Sequence, residues 1–294
     1  MNVQTDKKIP EISVIMGVYN QKDRQMLQDA VKSILNQTFS DFEFLIYNDG
    51  SDKESSNYIR EVAELDSRIV LIEASENKGL AFALNTCIEQ ARGKYIARMD
   101  SDDISKPERF MRQYLFLEEH PEYEWCGTNT ELIDENGVWG IRKMPECPTE
   151  KDYLKFSPYI HPSVMYRASL FEKEKKYLVS SDTLRCEDYE IFMRLHSKGY
   201  RGYNIQQEIF CYREEPMSFK KRKFKYRINE AKIRYRNFKK MQILFPTGWI
   251  YIARPIIAAF VPIKAIMLFK REKLEYKNEP RESTNSVLQR KISS

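Results

Sequence analysis

Gly93-Lys-Tyr-Ile-Ala-Arg-Met-Asp-Ser-Asp-Asp103 is the stretch on which the fold turns. Residues 95–99 have the length and character of a buried strand, and they run without a linker into Asp100, Ser101, Asp102 and Asp103. Upstream, strand and helix alternate. Residues 12–18 are a continuous apolar run between Pro10 and Asn20. Leu27, Ala30, Val31, Ile34 and Leu35 then recur at the spacing of an amphipathic helix. Residues 42–47 predict a second strand, closed by the turn chemistry of Asn48-Asp-Gly-Ser51. A polar helix over 53–65 and a short strand over 69–72 follow. Next comes a helix over 79–91, with Leu80, Ala83, Leu84, Cys87, Ile88 and Ala91 on one face. Such alternation implies right-handed βαβ units and a mostly parallel, Rossmann-like sheet flanked by helices. Ligands of open α/β sheets bind beyond the carboxyl ends of the strands. That singles out the loops at 17–22, 48–52, 75–79 and 100–103. Further on, Asn136-Gly137 between short apolar pairs predicts a hairpin, and 187–198 reads as a helix closed by Gly199.

The 294 residues are 42% hydrophobic, 13% aromatic and 31% charged, which suits a folded body and excludes a disordered or collagen-like chain. Five scattered cysteines without a CxxC pair argue against a disulfide framework or a thiolate zinc site. The opening MNVQTDKKIP lacks the apolar core of a secretory signal, so a reducing, cytoplasmic setting is expected. The net charge of +5 hides a split. From residue 213 onward there are 21 Lys/Arg against 7 Asp/Glu, whereas residues 1–212 hold 27 against 36. An acidic body suits a cation or a sugar. A basic tail suits phosphates, on nucleic acid or on lipid head groups.

Three carboxylates at a strand end have two readings. Hard cations such as Mg²⁺ or Mn²⁺ take oxygen ligands from one or two carboxylates and share them with a substrate phosphate. Alternation lets Asp100 and Asp102 address one side together, and a cation relieves their repulsion. The other reading is an acidic helix start, with Asp103 or Ser105 capping a helix from Pro107. The two are compatible.

Five segments in order now carry a resemblance: Ser13 to Asn20, Asn48-Asp-Gly-Ser51, Asn77-Lys-Gly-Leu-Ala-Phe-Ala-Leu-Asn85, Gly93 to Asp103, and Glu187-Asp-Tyr-Glu-Ile-Phe-Met-Arg194. Together they resemble the family-2 glycosyltransferases, which transfer sugar from a nucleotide donor on a GT-A fold, and they cover about residues 10–215. The resemblance implies that Val18, Tyr19 and Asn20 lie against the nucleotide base and that Asp49 reads the base edge, usually uracil. It places Asn77, Lys78 and Gly79 near base and ribose. Asp100, with Ser101, falls near the ribose, and Asp102, with Asp100, on a metal bridging the diphosphate. Asp188 matches the general base, with Glu187 as the fallback. Local readings stand beside these. Tyr19 is also a strand-end aromatic, Asp49 an Asx-turn residue, Asn77 a helix entry, and Asp188 a first-turn acid favoured by the helix dipole.

His161, in His161-Pro-Ser-Val-Met-Tyr-Arg167, resembles a segment between donor site and acceptor entrance, as an acceptor contact or metal neighbour; a lone His before Pro is more often structural. Tyr212-Arg213 and Met217-Ser218-Phe219 resemble a loop that closes over the diphosphate, with Arg213 and Ser218 as phosphate partners. Arg194 shares a helix face with Glu187 and is expected to orient the carboxylates. No Gln-x-x-Arg-Trp follows that helix, which favours single addition over processive synthesis.

Residues 220–240 hold eleven Lys/Arg and one acid, Glu230, with Ile228, Ala231, Tyr235, Phe238, Met241 and Phe245 as an apolar seam. A basic amphipathic helix of this kind suits a membrane surface. Residues 248–269 are apolar, but Arg254, Lys264, Pro255 and Pro262 interrupt them, which favours lying in the interface over spanning. The expected division is a catalytic unit over 1–219, a membrane-association region over 220–271 and a polar tail over 272–294. The implied enzyme is inverting. It moves a hexose or N-acetylhexosamine from a UDP-type donor to a hydroxyl of a lipid-linked saccharide, at the cytoplasmic face of the membrane, with Mn²⁺ or Mg²⁺ as cofactor and a homodimer possible. The alternatives are a nucleotidyltransferase-like α/β enzyme, against which Gly17-Val-Tyr-Asn20 offers no Gly-rich phosphate loop, and a nucleic-acid-binding protein using the basic tail. The second is disfavoured because the body is acidic and no base-stacking pattern recurs.

Overall fold

In this computed structural model, residues 8–214, 224–261 and 274 are described. The N-terminal half follows the sequence to within two residues. It comprises β1 (Ile12–Val18), α1 (Arg24–Leu35), β2 (Phe42–Asn48), α2 (Lys53–Ala63), β3 (Ile69–Glu73), α3 (Leu80–Gln90) and β4 (Tyr95–Arg98). These strands lie in the order β3-β2-β1-β4, and every neighbouring pair is parallel. The period-two alternation of β1 and β2 divides the core. Val14, Met16, Phe44 and Ile46 face Leu27, Ala30, Val31 and Ile34 of α1. Ile15, Leu45 and Tyr47 face Ala83, Leu84 and Cys87 of α3. Both faces are covered, as a parallel sheet requires. All five cysteines are free thiols.

Beyond β4 the sheet departs from the expected parallel pattern. The chain runs through β5 (Ile104–Ser105), α4 (Arg109–Glu119), β6 (Trp125–Asp134), β7 (Gly137–Arg142) and α5 (Asp152–Lys155). A 3₁₀ turn at His161–Ser163, β8 (Met165–Arg167), α6 (Leu170–Lys173), α7 (Glu187–His196) and β9 (Gly202–Arg213) follow. The order continues β8-β6-β9-β5, with β7 on β6 as the predicted hairpin. β8 is antiparallel to β4 and to β6, β5 is antiparallel to β9, and β6 and β9 are parallel. β8 enters from a short turn rather than a helical crossover, which frees it to run antiparallel.

Two C-terminal helices follow, α8 (Phe224–Lys240) and α9 (Gly248–Ile257). α8 packs on the body: Ile233, Phe238 and Met241 join the same core as α7 residues Ile191, Phe192 and Leu195. The apolar seam expected to face a membrane is divided. Ala231, Phe238 and Met241 are buried against the body together with Arg234 and Asn237, whereas Ile228, Tyr235 and Phe245 are exposed. Arg234 is accommodated because its guanidinium pairs with Glu230, donates to the Leu154 carbonyl at 2.8 Å and lies over the Tyr189 ring. Among the described residues, no helix is long and apolar enough to cross a membrane. Ser218, and those parts of the basic and apolar tail over 215–223, 262–273 and 275–294, lie outside the described residues.

Candidate active site

The loops after β1, β2, β3 and β4 form one connected rim. Asn20 sits in the left-handed region (φ 48°), which Asn tolerates. Its backbone N–H donates to Ser51 Oγ at 3.0 Å, and its Oδ1 accepts from the Asp52 N–H at 2.9 Å. Val18 is buried. Its carbonyl accepts the Asp49 N–H at 2.9 Å, which ties the first loop to the second. Tyr19 is 53% exposed at the rim, free to present its ring. The Ser101 carbonyl accepts from Gln21 Nε2 at 3.4 Å, tying the first loop to the fourth.

Asp49 is the clamp of this rim. Its carboxylate is buried and accepts from Asn77 Nδ2, the Lys78 N–H and the Gly79 N–H, each at 2.8 Å. A carboxylate has about four lone-pair sites. Three are committed to the 77–79 loop, and capacity for one further donor remains. Gly50 makes the close approach possible: it has φ +64°, and a Cβ there would fall 2.3 Å from the Glu76 carbonyl carbon.

At the end of β4, oxygens of Asp100, Asp102 and Asp103 lie within 4.8 Å of one another. Asp103 is a full member of this cluster and not a helix cap. α4 begins at Glu108 without a side-chain cap, while Asp103 Oδ1 accepts the Arg213 N–H at 2.7 Å. Burial and the neighbouring Asp100 charge push the Asp102 carboxyl up to about 6, and burial with both neighbours pushes Asp103 well above the carboxylate range. Arg98, buried inside β4, places Nη2 2.5 Å from Asp100 Oδ1. Arg213 Nε donates to the Asp102 carbonyl at 2.8 Å, so its expected phosphate role is shared with a backbone bond that braces the cluster. Asp103 Oδ2 is buried without a hydrogen-bond partner. Three converging carboxylates, one with an orphan oxygen, are the donor set a hard divalent cation fits.

α7 supplies the acids on the other side. Glu187 and Asp188 open it in its first turn, after Arg185 at φ 67°. Burial raises the Glu187 carboxyl. Burial pushes the Tyr177 hydroxyl up to about 12, with the Asp188 and Asp100 charges adding to the rise and Arg98 opposing it. His161 belongs to this layer. It is buried, with Nε2 2.7 Å from the Tyr177 hydroxyl, and burial and the Arg98 charge push its pKa far down. It sits as a neutral, buried imidazole outside the carboxylate cluster. Arg194 does not orient Glu187 or Asp188. It pairs with Glu190 one turn away, at 2.9 Å, and donates to the Lys175 and Lys176 carbonyls. Sequence reasoning left Asp103 between the carboxylate cluster and a helix cap, and gave Arg98 and Tyr177 no place in the site. Of the last two, only Arg98 left a signal, a cation inside an otherwise buried strand.

Comparison with known proteins agrees with this geometry. Residues 13–176 match the family model for glycosyl transferase family 2. A protein of Bacillus subtilis (strain 168) named as a glycosyltransferase, EpsE, is 35% identical over 271 residues, 92% of this chain and 96% of its own. The UDP-Gal:alpha-D-GlcNAc-diphosphoundecaprenol beta-1,3-galactosyltransferase of Escherichia coli is 27% identical over 259 residues, 86% of this chain and 92% of its own. The crystal structure of S. aureus TarS 1–349 in complex with UDP superposes with a TM-score of 0.63 at 16% identity, over 88% of this chain and 78% of that one. This chain therefore belongs to glycosyltransferase family 2 and has the GT-A fold.

Proposed function

We propose that the chain is an inverting glycosyltransferase that moves a hexose or N-acetylhexosamine from a UDP-sugar to a hydroxyl of a lipid-linked saccharide, one residue at a time, in cell-surface polysaccharide synthesis. The observation that carries the reading is the convergence of Asp100, Asp102 and Asp103 at the end of β4 in a chain that matches the family-2 glycosyltransferases. Tyr19 offers a ring for the base, and the remaining lone-pair site of Asp49 suits the imide N–H of uracil. Asn77, Lys78 and Gly79, held by Asp49, line the ribose side. Asp102 with Asp100 and Asp103 would hold Mn²⁺ or Mg²⁺. A bound cation of this class neutralises charge on a departing diphosphate. Arg213, bonded through Nε to the Asp102 carbonyl, is the cation we assign to the diphosphate, and Arg98 keeps Asp100 in place. Asp188, or Glu187 beside it, takes the proton of the acceptor hydroxyl. With one acid acting as base on the acceptor and the aspartates after β4 assigned to the cation, the reaction is a single displacement, hence inversion.

We assign residues 1–219 to catalysis and 220–271 to a membrane surface. α8 and α9 support the second assignment. They expose Tyr235, Trp249, Ile250 and Ile257, with Phe245 exposed in the turn between them, and α8 ends on Lys239 and Lys240, the mixture an anionic interface binds. The test is a hydrolysis and transfer screen over UDP-, GDP- and dTDP-sugars with Mn²⁺ or Mg²⁺, followed by NMR of the product. UDP-sugar turnover with a β-linked product from an α-linked donor is expected. Turnover with a retained anomer overturns the mechanism, and no turnover of any donor overturns the function.

A further inference from the structure

The geometry points to a pocket for the acceptor saccharide whose outer wall is held in place by α8, an inference that deepens the proposed function and rests on it. A pocket of about 320 Å³ lies between Lys78–Ala81 at the start of α3 and the segment 179–184, with Glu187 on its wall. Its volume is at the small end of the ligand-binding range. The lining pairs hydroxyls of Ser180 and Ser181 with apolar surface from Leu80, Val179 and Leu184, which matches a sugar ring with its hydroxyl edge and apolar C–H face.

Position favours the acceptor over the donor. The nucleotide side is bounded by Tyr19, Asn20, Asp49 and the carboxylate cluster, and none of these lines the pocket. The pocket shares only Lys78 and Gly79 with that side and meets the first turn of α7 at Glu187. An acceptor hydroxyl has to reach the acids of that turn.

The wall at 179–184 has no regular secondary structure and is strung between two helices. On one side Asn85 of α3 exchanges hydrogen bonds with the Tyr177 backbone at 2.8 and 2.9 Å. On the other side α8 grips it at three points. Asn229 Nδ2 donates to the Ser181 carbonyl at 2.7 Å, Arg236 Nη2 lies 3.0 Å from Asp182 Oδ2, and Lys232 Nζ lies 3.8 Å from Asp182 Oδ1. Thr183 Oγ1 closes the loop on itself by donating to the Leu178 and Ser180 carbonyls. The helix that carries the proposed membrane surface thus also sets the shape of the pocket. Asn229 and Asp182 are positioning residues, outside the pocket lining.

The experiment compares the full chain with the Asp182→Asn/Asn229→Ala double variant, which leaves every cation of α8 in place. The acceptors are soluble p-nitrophenyl β-glycosides of glucose, galactose and N-acetylglucosamine, so that membrane binding plays no part. The donor is whichever UDP-sugar the chain hydrolyses, and that hydrolysis, read in the same preparation, reports folded enzyme. Two exposed ion pairs and one hydrogen bond correspond to about a tenfold change. The expected result is an acceptor KM raised about tenfold, with donor KM and donor hydrolysis within twofold of the parent. An acceptor KM within twofold of the parent overturns the inference, and so does a donor KM that rises alongside it. Hydrolysis of donor without transfer to any of the three glycosides overturns the pocket assignment and leaves the proposed function standing. A chain that hydrolyses no donor overturns both.

Discussion

Asp49→Asn is the most revealing single change at the nucleotide rim. The wild-type carboxylate accepts three hydrogen bonds, one on Oδ1 from the Lys78 N–H and two on Oδ2 from Asn77 Nδ2 and the Gly79 N–H. An asparagine keeps one acceptor oxygen. With that oxygen at the Oδ2 position, two bonds survive in weaker, neutral form, and the amide nitrogen is set against the Lys78 N–H, donor to donor. Each hydrogen bond to a charged group contributes about 1.5–3 kcal/mol, and a donor left unpaired in a buried place costs about 1–3 kcal/mol. The expected loss is therefore about 2–4 kcal/mol, or roughly 5–10 °C in melting temperature for a chain of this size. The fourth lone-pair site goes with the charge, so UDP affinity falls at least about tenfold. Thermal melts with and without UDP, together with UDP calorimetry, read both numbers. A variant that melts within 1 °C of the parent and binds UDP as tightly would refute the clamp.

Three further outcomes are expected. Gly50→Ala forces a Cβ to within 2.3 Å of the Glu76 backbone at a positive φ; denaturant unfolding should show a loss of about 2–4 kcal/mol, with weaker UDP binding. His161 is held below its ordinary pKa of 6.5 by burial and Arg98, so its contribution to stability is present above about pH 6.5 and lost as the pH falls below it, by about 1.4 kcal/mol per unit. Unfolding curves of the parent and His161→Gln between pH 7 and 5 should therefore converge toward acid, and parallel curves contradict the assignment of a neutral buried imidazole. The full chain should float with anionic vesicles, and Trp249→Ser/Ile250→Ser should cut the bound fraction at least about tenfold, because both side chains are exposed on α9 and each is able to bury roughly 2 kcal/mol of apolar surface; a parent that stays in the soluble fraction removes the membrane assignment.

The first hundred residues were legible because local pattern and long-range packing agree there. β1 and β2 are predominantly apolar strands buried on both faces, and the seam of α1 is the face that meets them. The second half was not legible for the opposite reason. β5 and β8 have two and three residues, too few for any period to show, and they exist only through pairing with distant β9, β4 and β6. In α8 the apolar spacing pointed to Tyr235 and Ile228, yet the buried face includes Arg234, because Glu230, the Leu154 carbonyl and the Tyr189 ring provide for a buried guanidinium that no spacing rule anticipates. The candidate site was read from residues whose chemistry is conspicuous in loops, such as Asp49, Asp100, Asp102 and Asp188. The layer beneath it, made by Arg98, His161, Tyr166 and Tyr177, comes from four separated segments and looks in sequence like ordinary core.

The central claim is that the carboxylates after β4 bind a nucleotide diphosphate by way of a cation. Calorimetric titration of UDP into the full chain, in Mn²⁺ and in EDTA, for the parent and for Asp102→Asn, addresses it most directly. The account predicts tight binding for the parent in Mn²⁺ and a loss of at least about a hundredfold both in EDTA and in the variant, since a diphosphate is otherwise set against three carboxylates. Equal affinity under all of these conditions would contradict it.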